Sequence, residues 1–196
     1  MANANIPRGL VPVRHRNGAP YNGAANVYYV PASYGTALFV GDPVKTVTDS
    51  ADGNGIQTVA AASAGDTIIG AVLSLGFGGD PAIPVLRDSG RHHAASTEGY
   101  VLVVDDPEIL FEIQEDGIGG AMGVGAVGRN ADLVAGSGST VTGWSGFQLD
   151  SNTLATTAAT LRIIAAVLRA DNDPTLTNAK WLVSIFEHQM LAATGV

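Results

Sequence analysis

The stretch Tyr100 to Asp116, YVLVVDDPEILFEIQED, restricts the fold more than any other part of the chain. An aromatic and β-branched run, Tyr100 to Val104, is broken by Asp105-Asp106-Pro107. Ile109 to Glu115 then sets Phe111 and Ile113 opposite Glu112 and Gln114. Two apolar runs around a proline turn, the second alternating with period two, predict a β-hairpin with one buried and one wet face.

The same grammar recurs along the chain. Strands are expected at Ala37–Val40, Val44–Val47, Ile56–Ala61 and Thr67–Leu75, punctuated by Gly41-Asp42-Pro43 and the strong turn Asp52-Gly53-Asn54-Gly55. Gly76 to Pro84 reads as an exposed, mobile connection. A short strand is expected at Trp144–Leu149, and Leu161–Arg169 pairs with a returning strand at Trp181–Phe186 that holds Trp181 in the core. Met190 to Val196 forms a small frayed tail. The fold class is mainly β, a β-sandwich or barrel-like domain with an extended N-terminal arm and Gly-rich loops. Residues 1–36 form the arm and edge segment, and 37–196 the body. With 196 residues the chain can bury a core without disulfides or metal, and it has no cysteine. Its 25 glycines beside only ten Lys and Arg imply a weakly charged surface of the kind that other subunits cover.

Charge is unevenly spread. Residues 1–41 contain Arg8, Arg14 and Arg16 and no acid, so this segment is +3. The remaining seven bases and all eighteen acids make the rest −11, within a net charge of −8. Pro7, Pro12, Pro20 and Pro31 prevent a long helix there. The segment reads either as an arm that reaches onto an acidic neighbour or as a strand-and-loop edge with solvated arginines. In the first reading Ile6, Leu10, Val11 and Val13 supply most of the contact and Arg8, Arg14 and Arg16 steer it, because exposed ion pairs contribute only ~0–1 kcal/mol each. The acidic balance speaks against a general nucleic-acid grip, and no apolar run reaches the ~20 residues of a membrane span.

No stretch assembles a catalytic or cofactor constellation. The formal G-x-G-x-x-G at Gly123, Gly125 and Gly128 is followed by Arg129-Asn130-Ala131-Asp132 rather than by a helix that could seat a pyrophosphate. Around Asp49 to Ile56 the ligand order of a calcium loop is missing. Adjacent His92 and His93 point to opposite faces of an extended chain and have no third ligand at useful spacing, so their loop reads as a polar edge or subunit contact. The carboxylate pairs Asp105/Asp106, Glu112/Glu115 and Asp171/Asp173 each have a turn or wet-face explanation. Neither a metal, a cofactor nor an enzymatic activity is expected. Trp144, beside Ser145 and Gln148, is the place where a carbohydrate- or receptor-binding module would hold a sugar.

Five passages together give a family resemblance: the opening ANANIPRGLVPVRHRNGAPYNGAANVYYVPAS, GDPVK at Gly41–Lys45, the Tyr100–Asp116 stretch, VGRNADLVAGSGSTVTG from Val127, and NAKWLVSIFEHQ from Asn178. Over nearly its whole length the chain resembles the structural cement (head decoration) proteins of tailed bacteriophages. The resemblance implies a β-rich virion protein on the outer surface of the capsid, made in the bacterial host cytoplasm. It also implies a homo-oligomer, commonly a trimer, that bridges neighbouring major capsid proteins.

Overall fold

The computed structural model describes residues 3–78, 85–86 and 90–191. In chain order the strands are β1 (Val11–His15), β2 (Asn26–Val30), β3 (Pro43–Ala51), β4 (Gln57–Ala61), β5 (Gly70–Gly78), β6 (Val85–Leu86), β7 (Gly99–Val104), β8 (Ile109–Gln114), β9 (Asn130–Ala131), β10 (Leu133–Val134), β11 (Gln148–Leu149), β12 (Leu161–Ala166) and β13 (Lys180–Ile185). The fold is mainly β. Its helical content among the described residues is three single turns of 3-10 helix.

Two sheets carry the architecture. One runs β3-β4-β2-β7-β5-β6, and a further β3–β5 pairing closes β3, β4, β2, β7 and β5 into a five-stranded barrel. Period-two alternation fills it: Tyr28, Val30, Val44, Val59, Val72, Val101 and Val103 point inward and form one core. The other sheet, β1-β8-β13-β12-β9, is antiparallel throughout. Its inner face, with Ile109, Phe111, Ile113, Trp181, Val183, Ile185, Leu161 and Ile163, shares a second core with Ala71 and Val104 of β5 and β7. The chain therefore buries two apolar layers, one inside the barrel and one between barrel and sheet.

The central stretch forms both expected strands but no hairpin. β7 lies between β2 and β5, whereas β8 lies between β1 and β13. Both edges of each strand are occupied, so neither has a free edge to offer the other. The expected wet face of β8 is corrected as well. Gln114 and Glu115 are buried, because Gln114 accepts from the Ile6 amide and donates to Asn5, and Glu115 accepts from the Trp181 indole. The predicted pair at the end of the chain is present as β12 and β13, with Leu161 opposite Ile185. Ala37–Val40 is reduced to bridges at Leu38 and Val40, and the strand expected from Trp144 shrinks to Gln148–Leu149. Gly117–Gly128 holds one 3-10 turn at Val124–Ala126. Gly79 to Pro84 of the expected mobile connection, and the tail from residue 192, lie outside the described residues.

Residues 1–36 are not a separate arm. β1 pairs along β8, and β2 sits inside the barrel wall between β4 and β7. Tyr28 and Val30 are too apolar to remain outside a core, and the barrel could not close without β2.

Trp181 is fully buried and donates from Nε1 to Glu115 Oε2 at 2.9 Å. Burial pushes the Glu115 carboxyl above its ordinary value. Trp181→Phe should leave a void and remove that donor, costing about 2–4 kcal/mol in urea unfolding. Glu115→Gln keeps an acceptor for the indole and removes a buried acid, so its loss should stay below about 1 kcal/mol.

Candidate interaction surface

Two glycines set the geometry of the most distinctive surface. Gly9 and Gly41 both have left-handed backbones, with φ +66° and +94°. A side chain on Gly9 would collide with the Gly41 carbonyl, and one on Gly41 with the Arg8 carbonyl. The two segments therefore cross in backbone contact, joined by the Leu10 amide donating to Gly41 O at 2.9 Å. Leu10 drops into the core just past the crossing, while Arg8 stays outside with its guanidinium 5.2 Å from the Trp144 ring centroid.

Asp42 fastens the crossing from beneath. Its carboxylate accepts from the Phe39 amide at 2.8 Å and from the Ser145 hydroxyl, while the Ser145 amide donates to Val40 O at 2.9 Å. Burial pushes the Asp42 carboxyl up to about 6 from its ordinary 3.8, outweighing these two hydrogen bonds. The loop from Ser139 to Trp144 is closed by Ser139 and Trp144 backbone pairing at 3.0 Å and by the Gly143 amide on Ser139 O at 2.7 Å. Val141 stands at its tip, exposed, and Arg91 donates to the Val141 carbonyl. Gly143, with φ +80°, lets Arg91 approach the loop.

The resulting surface presents Arg8, Arg91, Val141 and Trp144. Among the described residues neither arginine has a carboxylate partner. Tryptophan and arginine on a partly desolvated site are the side chains that most often dominate protein–protein binding energy.

The seven residues expected from the sequence to bind a partner are only partly brought together. Arg8 belongs to the surface just described. Ile6 is 58% exposed and Val13 43%, Val13 lying at a bulge in β1. Val11 is half-buried and pairs with Glu112. Arg14 is exposed on the outer edge of β1, and Arg16 lies 3.9 Å from Glu108 of its own chain. Leu10, 1% exposed, belongs to the internal core and is corrected from a partner contact to a structural one. Sequence reasoning singled out Trp144 but missed Arg91, Val141 and the glycine crossing. The usable signal was a glycine between Arg8 and the apolar Leu10, facing the glycine that precedes Asp42.

The two histidines do part. His93 is buried, exchanges backbone hydrogen bonds with Leu38 and donates from Nε2 to Thr97 O at 2.9 Å, and burial holds its pKa below the ordinary value. His92 stacks on Phe39 at 5.3 Å. Among the described residues no group of three His, Cys, Asp or Glu side chains could hold a metal ion. Compared with protein-family models, curated proteins and solved structures, the chain matches none.

Asp42 gives the surface a pH signature of defined sign. Its folded-state pKa is raised, so its contribution is complete below 3.8 and is lost as pH rises through about 6. Relative to Asp42→Asn, the native chain should gain up to about 3 kcal/mol between neutral pH and pH 3.8. Denaturation midpoints of both proteins across that range give the comparison, and parallel curves would contradict it. Gly9→Ala should cost about 1–3 kcal/mol and lift Arg8 from Trp144, read as altered tryptophan emission.

Proposed function

We propose that this protein decorates the outer surface of an assembled bacteriophage head, bridging neighbouring major capsid proteins and so stabilising the shell. The class of partner comes from the sequence resemblance. The observation that carries the choice of surface is that Arg8 and Arg91 flank Trp144 and Val141 with no carboxylate partner among the described residues, on a chain of net charge −8. Such a surface suits an acidic, partly apolar site on the shell. Arginine steers the encounter, and burial of tryptophan and valine supplies most of the affinity.

A protein that binds the expanded shell and not free subunits stabilises it by mass action, roughly 2.7 kcal/mol per site at a hundredfold excess over Kd. Repeated over the lattice, modest affinity is enough. A sugar-binding reading of Trp144 has less support, because Arg8 already lies over the indole ring that a sugar would need for stacking.

Heads lacking the protein, mixed with the purified chain and pelleted, should carry it down and should then release DNA at a higher temperature than bare heads. Trp144→Ala and Arg8→Ala should each weaken co-sedimentation about tenfold or more, as expected for dominant contacts. Absence of binding, or equal thermal resistance of bare and decorated heads, would refute the cement role. Retention on a glycan array, abolished by Trp144→Ala, would replace it with sugar recognition.

A further inference from the structure

Asn-Gly occurs three times in the chain, at Asn17, Asn22 and Asn54, and each pair is exposed. The glycines all have left-handed backbones, with φ +91° at Gly18, +85° at Gly23 and +84° at Gly55. The dipeptide carries a chemistry of its own. With no side chain on the second residue, its amide nitrogen is unhindered in approaching the asparagine Cγ, from which it can displace ammonia. In sequence the three sites are equivalent, and the fold makes them unequal.

At Asn17 the nucleophile is tied down. The Gly18 amide donates to His15 O at 3.0 Å, and the His15 amide donates to Ala19 O at 2.9 Å, closing the turn. At Asn54 the Gly55 amide donates to Asp52 O at 3.2 Å. The Asp52 carboxylate, which accepts from the Asn54 and Ile56 amides, also sets a negative charge beside a nitrogen that must itself become anionic to react. Gly23 differs from both, because among the described residues its amide has no hydrogen-bond partner. The electrophile is prepared as well. The Ala24 amide donates to Asn22 Oδ1 at 3.0 Å, the oxygen on which negative charge gathers when Cγ is attacked. Asn17 has an equivalent donor in the Ala19 amide at 2.9 Å, so the difference between these two sites rests on the nucleophile.

We infer that Asn22 is the principal site at which this chain modifies itself, by spontaneous deamidation through a cyclic imide. The Gly23 amide gives its proton to water, and its nitrogen bonds to Asn22 Cγ. The Cγ–Nδ2 bond breaks, and Nδ2 takes up a proton and leaves as ammonia. Water then opens the imide at Cγ to give aspartate, or at the main-chain carbonyl to give isoaspartate. The fold can absorb either product. The Tyr21 hydroxyl donates to Ala24 O at 2.8 Å across the site, and β2 begins only at Asn26, paired with β7 and β4. The reaction adds one negative charge to a segment whose net charge is +3.

The test is to age the full chain at mildly alkaline pH and digest it with trypsin. Fragmentation mass spectrometry then separates Asn17 from Asn22 within the single peptide from Asn17 to Lys45. Asn22 should convert with first-order kinetics, exchanging NH2 for OH in mass, and isoaspartate should accumulate there first. Asn17 and Asn54 should react about fivefold more slowly or less, the order expected for freeing a hydrogen-bonded amide. In urea the three rates should converge, since only the fold separates them. Three results would overturn the inference: no conversion at Asn22, equal rates at the three sites in the folded chain, or a folded-state ranking that persists unchanged in urea. None of these readouts involves a partner, so the decoration role stands or falls separately.

Discussion

The architecture depends on the few residues that carry the chain from β7 to β8, and above all on Asp105. Its carboxylate is buried and accepts two hydrogen bonds from the Asn26 amide at 2.9 Å and one from the Tyr28 hydroxyl at 2.8 Å. Both donors belong to β2, the neighbour of β7 in the barrel. The chain is thereby pinned to the barrel wall at the moment it leaves it, and Pro107 directs it to the other sheet. A carboxylate in this position without its donors would be costly to bury. Burial, the Asp105 hydrogen bond and the nearby Asp105 charge all raise the Tyr28 pKa, so the phenol stays a donor.

The two cores follow from that transfer. Strands adjacent in sequence but assigned to different sheets put Val101 and Val103 inside the barrel and Ile109, Phe111 and Ile113 in the layer beneath it. The C-terminal segment ties the two together again. The Ile68 amide donates to Glu187 O and the Ile68 carbonyl accepts from the Gln189 amide, and the Gln189 side chain accepts from the Thr46 amide and hydroxyl. Burial depresses the His188 pKa, leaving a neutral imidazole between the layers that accepts from the Met190 amide.

Local grammar was readable in the sequence where one segment sufficed to specify it. The turn at Asp52 is an example: its carboxylate accepts from the amides of Asn54 and Ile56, as an Asp-Gly-Asn-Gly string dictates, and the strand pair built on Leu161 and Trp181 was legible from its apolar pattern. Partner choice was not. The pattern of Tyr100–Asp116 is the same whether its strands pair with each other or with β2, β5, β1 and β13, because period two reports a face and not a neighbour. Gln114 and Glu115 misled for a related reason: polarity marks a wet face only when no distant donor or acceptor is available, and Asn5 and Trp181 are far away in sequence. The interaction surface was half visible. Trp144 and Arg8 could be named, but their stacking depends on two glycines more than thirty residues apart meeting backbone to backbone.

The clasp of Asn3 on residues 173–177 joins positions 170 to 174 residues apart, and β1 depends on β8 as β8 depends on β13. Order of synthesis then becomes a constraint. While a ribosome is still making the middle of the chain, β2 and β7 can already meet. β8 must wait for β13, with its Phe111 face uncovered, until Lys180–Ile185 has emerged. The barrel is thus equipped to form first and to serve as a template, and the five-stranded sheet closes late and all at once. A nascent chain arrested before Lys180 would hold an open, apolar strand edge, the species on which chaperones and aggregation compete.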